Sequence, residues 1–152
     1  MLKDQLERVA RQGAQDGWIM GERYDMNHVY YVDDRNWHGA GHYYEYPCVF
    51  SWVLFQEYLG VRPALDADLL IAPRLAEFGE VTLGQDAYRL RYRYAPEVFT
   101  VENLASVERT FRIDASALFP ASRGLRHGSE AYEGAPLTVA PGATLTLTAV
   151  VE

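Results

Sequence analysis

Two segments of this 152-residue chain alternate polar and apolar side chains strictly enough that each admits one local structure. Tyr88, Leu90, Tyr92 and Tyr94 alternate with Arg89, Arg91 and Arg93, and Leu145, Leu147 and Ala149 alternate with Thr144, Thr146 and Thr148. Successive side chains of a strand point to opposite faces, so a period of two buries one face and leaves the other in water. Each segment is expected as a half-buried antiparallel strand. Further strands are expected near 69–72, 80–83, 97–103, 108–114 and 136–140, separated by the turn signals Gly84-Gln85-Asp86, Ala95-Pro96 and Pro141-Gly142. Short strands at this spacing, with regular turns, predict an antiparallel β-sandwich over 63–152.

Before residue 62 the period is helical. Leu2, Leu6, Val9 and Ala10 recur with Lys3, Asp4, Glu7, Arg8 and Arg11 between them, which predicts a short amphipathic helix stopped by Gly13. A second helix is expected from Pro47 to Leu59, with Pro47 at a first helical position, Gly60 as its stop and Pro63 preventing continuation. Val49, Phe50, Trp52, Val53, Leu54, Phe55 and Leu59 cover more than one stripe of that helix, so it is expected to be buried on most sides. Residues 1–46 can hardly supply the neighbours for such burial.

At 49% hydrophobic and 23% charged residues, the chain is a globular type that can bury a real core. The net charge of -7 without a Lys/Arg cluster argues against nucleic acid and anionic membrane surfaces as partners, and a neutral polar ligand fits better. A single cysteine, Cys48, excludes an internal disulfide framework and agrees with a reducing compartment. No stretch reaches the roughly 18 apolar residues of a membrane span, and Met1-Leu2-Lys3-Asp4-Gln5 does not read as a signal peptide. A cytoplasmic location is the expectation.

Chemistry concentrates in residues 18–58, which hold twelve of the twenty aromatic residues, all three Trp and three of the four His. Carboxylates among sugar-sized aromatic surfaces suit glycoside chemistry, in which two carboxyl groups flank the scissile bond, about 6.5–9.5 Å apart in inverting enzymes. Glu22 follows Gly21 at a break between elements, and Arg23 beside it favours the ionised form that a general base requires. The commoner reading of such a neighbour pair is a solvated ion pair. Glu45, between Tyr44 and Tyr46, is a second candidate, set against its role as an acceptor at a helix N-terminus. Trp18, Tyr24, Trp37, Tyr43 and Tyr44 offer faces for sugar stacking, although some of them must be core.

Other constellations are weaker. His28, Asp33, Asp34, His38 and His42 include imidazoles four residues apart, but in a Gly-containing loop that spacing does not place two rings on one helical face, and bonding to backbone or sugar hydroxyls is the better reading. Gly39-Ala40-Gly41 lacks the pattern of a phosphate-binding loop. Cys48 and Ser51 lack a nucleophile motif, and Cys48 is expected as an inert packing residue at a buried helix start. Neither a metal nor another cofactor is expected.

Glu22-Arg23-Tyr24-Asp25, followed after a polar, Gly-containing loop by Glu45-Tyr46-Pro47 and Phe50-Ser51-Trp52, resembles the last hairpin of (α/α)6-barrel, or six-hairpin, glycoside hydrolases. Trehalases and the glucosidases related to the processing α-glucosidase carry such segments, and the resemblance implies that Glu22 is the catalytic base. Leu59-Gly60-Val61-Arg62-Pro63 and Asp68 to Pro73 are similar to the exit from such a barrel into a C-terminal β-sandwich. The chain departs from the family in two ways. Asp33-Asp34-Arg35-Asn36-Trp37-His38 stands where trehalases have glycines, which speaks against trehalose, and the partner acid has no counterpart.

The resemblance therefore implies an α+β fold class: the last helices of an (α/α)6 toroid over 1–62, then the antiparallel β-sandwich over 63–152. Its partner would be the missing N-terminal barrel portion or a complementing chain. The function expected on this basis is the C-terminal portion of a glycoside hydrolase acting on a small oligosaccharide by inverting hydrolysis, inactive alone, with Glu22 or Glu45 catalytic and Arg23, Trp37, His38, Tyr43 and Tyr44 binding carbohydrate. The alternative is a noncatalytic carbohydrate-binding or structural β-sandwich. In that case Glu22 is dispensable and Tyr88 or Tyr92 is the residue expected to matter for binding.

Overall fold

The computed structural model describes residues 2–15 and 45–151, except for the side chains of Glu45, Tyr46 and Pro47. Two compact units divide the chain, Met1–Leu54 and Phe55–Glu152.

In the first unit, α1 spans Leu2–Gln15 and α2 spans Glu45–Trp52. The helical period of α1 holds, with Leu6 buried, but Gly13 does not stop the helix. It is a buried residue within it, where a glycine costs only about 1 kcal/mol relative to alanine. The second helix starts two residues before Pro47, which leaves the proline in the first turn, where its missing N–H is not needed. After Trp52 the backbone widens into a π-helical turn over Val53–Tyr58, and Gly60, at φ +71°, provides the left-handed exit.

The expected burial of this helix is not observed. Val49 is 53% and Trp52 54% exposed, and Cys48, expected to be packed, is exposed and free. Leu2, Leu6, Val9, Val49, Phe50 and Val53 line an apolar groove of about 230 Å³. Among the described residues no helix is long and apolar enough to cross a membrane.

The second unit is β-sandwich-like. Its strands are β1 (Val61–Pro63), β2 (Leu69–Ile71), β3 (Gly79–Leu83), β4 (Leu90–Ala95), β5 (Val98–Asn103), β6 (Arg109–Ile113), β7 (Leu125–His127), β8 (Glu130–Tyr132), β9 (Leu137–Val139) and β10 (Thr144–Ala149). They form a four-stranded sheet ordered β1-β2-β6-β9 and a six-stranded sheet ordered β3-β4-β5-β10-β7-β8. β2 and β6 pair in parallel, while the other pairs are antiparallel.

Register explains the alternation read in the sequence. Val81, Tyr92, Val101 and Leu145 lie in one row across β3, β4, β5 and β10, and Tyr94, Phe99 and Leu147 lie in the next. These rows face Val61, Leu69, Ile71, Phe111, Ile113 and Val139 of the smaller sheet in a single core. Each fully buried large side chain contributes roughly 1.5–3 kcal/mol. The opposite rows are polar: Arg91 pairs with Glu102 at 3.1 Å and Glu80 at 3.5 Å on the exposed face.

Polar atoms that enter the core are satisfied. Asn103, fully buried, donates to the carbonyls of Val107 and Val139 and accepts from the Ala105 N–H. Tyr92 donates to the Leu59 carbonyl at 2.9 Å, and burial pushes its phenol above the ordinary range.

The expected helical-toroid ending is overturned. Only two short α-helices, of 14 and 8 residues, occur among the described residues, against ten strands in two sheets, so the fold is β-rich. Gly60 to Pro63, read as a barrel exit, instead leads into an edge strand whose final proline is tolerated because an edge leaves one side unpaired.

Two stability tests follow. A Cβ on Gly60 would lie 2.2 Å from the Ala72 carbonyl, in a left-handed conformation, so Gly60→Ala is expected to cost about 3 kcal/mol, measured by the urea midpoint. Asp68 accepts from the backbone N–H of Thr110 at 2.7 Å and from its hydroxyl at 3.0 Å, and chiefly the backbone bond holds its carboxyl below the ordinary value. Its contribution is present above the unfolded-state pKa of about 3.9 and is lost as pH falls through the lowered folded-state value. Acid titration of the urea midpoint should therefore show a slightly steeper loss for the wild type than for Asp68→Asn, small because the carboxylate is exposed.

Candidate functional site

At one end of the sandwich, β6 brings Arg112 and Ile113 to the edge of a cleft whose other walls are the segment 114–124, the start of β7 and Tyr132 of β8. Its volume is about 450 Å³, within the roughly 300–1,000 Å³ typical of small-molecule sites. The strand period sends Ile113 into the core and leaves Arg112 exposed, where its Nη1 meets Asp66 Oδ2 at 2.9 Å. The chain then turns: Asp114 Oδ1 accepts from the Ser116 N–H at 3.1 Å and from the Ser116 hydroxyl at 2.6 Å, an Asx-type turn.

Two partly buried tyrosines hold the rest of that wall. Tyr94 donates to the Leu118 carbonyl at 2.8 Å, and its ring meets Phe119 edge-on at 5.5 Å. Phe119 and Pro120 consequently line the cleft. On the opposite side, the hydroxyl oxygen of Tyr132 accepts the Ile113 N–H at 3.0 Å, tying the six-stranded sheet to the end of β6. Burial raises the Tyr132 phenol above its ordinary value, opposed by the Ile113 bond and by Arg112, so the hydroxyl keeps its proton at neutral pH.

The cleft therefore offers both kinds of hydrogen-bonding group. The Tyr132 hydrogen and the remaining Arg112 N–H groups are donors, and the second oxygen of Asp114 is an acceptor. Phe119, Pro120 and Leu125 add apolar wall. Asp114 and Ser116 also line a smaller polar recess of about 120 Å³ with Gln56, Glu57, Arg62, Ala72, Arg74 and Ala117. Such a mixture suits a ligand with hydroxyls along its edge and C–H groups on its face. No group of three or more His, Cys, Asp or Glu among the described residues is placed to hold a metal.

The structure does not place the site residues selected from the sequence. Glu22, Arg23, Trp37, His38, Tyr43 and Tyr44 lie outside the described residues. Glu45 is the first residue of α2, and its side chain too lies outside them. Tyr92, expected to matter for binding in the sandwich alternative, is 0% exposed and belongs to the core.

Arg112, Asp114, Ser116, Phe119 and Tyr132 were not distinguished from scaffold by any local motif. Asp114-Ala115-Ser116 carried a turn signal, and His127-Gly128-Ser129-Glu130 carried a hairpin signal, with Gly128 at φ +61° between the paired His127 and Glu130. That hairpin is what delivers Tyr132.

Comparison with protein-family models, with curated proteins and with solved structures returns no match. Together with the β-rich fold, this overturns the resemblance to six-hairpin glycoside hydrolases.

Tyr132→Phe removes the acceptor of the Ile113 N–H and is expected to lower stability by about 1 kcal/mol. The loss should appear in the urea midpoint with faster hydrogen exchange at the Ile113 amide; an unchanged exchange rate would contradict the proposed tie between β8 and β6.

Proposed function

We propose that this chain acts as a noncatalytic carbohydrate-binding β-sandwich, with the cleft between β6, segment 114–124 and Tyr132 as its ligand site. The observation that carries the reading is the composition of that cleft: donors and acceptors at Arg112, Tyr132, Asp114 and Ser116 beside the apolar surfaces of Phe119, Pro120 and Leu125. A sugar ring presents hydroxyls around its edge and C–H groups on its faces, so it matches both parts of the lining. Cleft polar groups with unspent bonding capacity would replace the hydration of those hydroxyls, which is where selectivity arises.

Support also comes from how the site is held. Tyr94, Tyr132 and the Asp114–Ser116 turn fix its walls through hydrogen bonds made before any ligand arrives. A preorganised wall lowers the entropic cost of binding. The exposed, free thiol of Cys48 is compatible with action in the reducing cytoplasm.

Calorimetric titration of the full chain with a panel of oligosaccharides tests this reading. Binding is expected to weaken at least about tenfold in Arg112→Ala, whose exposed ion pair contributes little to folding, and to survive Glu22→Gln. Binding lost in Glu22→Gln but retained in Arg112→Ala would place the site elsewhere.

A further inference from the structure

We propose that the polar recess behind Asp114 and Ser116 binds a carboxylate, so that the preferred ligand is an acidic glycan carrying a uronic acid. This rests on the carbohydrate-binding reading above and specifies its substrate class. The recess sets Arg62 and Arg74 against Glu57 and Asp114. Glu57 is engaged by Arg62, and one oxygen of Asp114 by Ser116, so the cation left over is Arg74.

The recess has the size and chemistry of a subsite for one group. At about 120 Å³ it is too small for a ring of its own. Arg62 lines it while held by Glu57 at 3.6 Å, a half-buried and loose pair. Arg74 is the distinctive element. Its backbone N–H is anchored on the Tyr58 carbonyl at 3.0 Å, which fixes the base of the side chain, and among the described residues its guanidinium has no ion-pair partner. A guanidinium matches a carboxylate through two parallel N–H bonds, and the Gln56 amide can supply a further donor.

Connection to the cleft decides the kind of ligand. Asp114 and Ser116 line both spaces. A sugar lying in the cleft can thus direct an exocyclic carboxylate past the turn into the recess, whereas a separate small anion would have no use for the cleft's apolar wall. The site is therefore read as one composite surface, with ring recognition on one side of the turn and charge recognition on the other.

The test uses the full chain and three probes of similar length: an α-linked oligogalacturonate, the same oligomer with its carboxyl groups methyl-esterified, and a sulfated neutral oligosaccharide. The acid is expected to bind about tenfold more tightly than the ester, with affinity falling as salt rises. Arg74→Ala should bring the acid-to-ester ratio close to one and Arg74→Lys should restore part of it; Arg74 is exposed, and an unchanged melting temperature would confirm that the variants fold. Equal affinity for acid and ester overturns the inference and leaves the carbohydrate-binding reading standing, as does an acid preference that survives Arg74→Ala. Tighter binding of the sulfated probe overturns the carboxylate assignment. Absence of binding to any saccharide defeats both readings together.

Discussion

The burial of two sheet faces against each other governs the rest of the second unit. Tyr92, Phe99, Val101 and Leu147 of the larger sheet and Ile71, Phe111 and Ile113 of the smaller one are almost completely removed from water. Two of the inward residues carry hydroxyls, and a buried hydroxyl must find an acceptor. Tyr92 reaches the Leu59 carbonyl and Tyr94 the Leu118 carbonyl, so the packing of the sheets dictates where two irregular segments must lie. Asn103 does the same for the turn after β5 and the end of β9. Core packing thereby specifies loops.

One of those loops forms the candidate site. With Leu118 held and Phe119 packed edge-on against Tyr94, segment 114–124 stands beside the end of β6. Tyr132 closes the other side by accepting the Ile113 N–H. The cleft therefore follows from satisfying backbone and phenol groups, and it remains open because the strands end there. Its arginines are not required by packing, since exposed ion pairs such as Arg112–Asp66 contribute little to stability.

Helical and sheet segments differed in how directly they could be read. Strict alternation in 88–94 and 144–149 exposed β4 and β10, because one face must be apolar and the other polar when a strand lies between core and water, although Tyr88 itself lies in a 3-10 turn, Asp86–Tyr88, before β4 begins at Leu90. The three-residue strands β1, β7 and β8 were not legible, whereas the equally short β2 and β9 were, because apolar residues run through the latter two. The apolar stretch 49–59 suggested a buried helix, but composition cannot tell a side chain covered by neighbours from one left exposed, and Val49 and Trp52 are exposed. The likeness of Glu22 to Trp52 to a glycosidase hairpin rested on residue types in order, which do not fix the architecture around them.

Local periodicity by itself determined the strands that carry the core, the helical character of 2–15 and the turns at Ala95-Pro96 and Pro141-Gly142, since each depends on neighbours a few residues away. The parallel pairing of β2 with β6 and the division into two sheets were decided only by tertiary structure, as was the meeting of Arg112, Asp114, Phe119 and Tyr132. These unite residues far apart in the chain, and nothing in the spacing of one segment encodes the register of another. What joins them is the common need to bury apolar faces and to leave no buried hydrogen-bonding group unpaired.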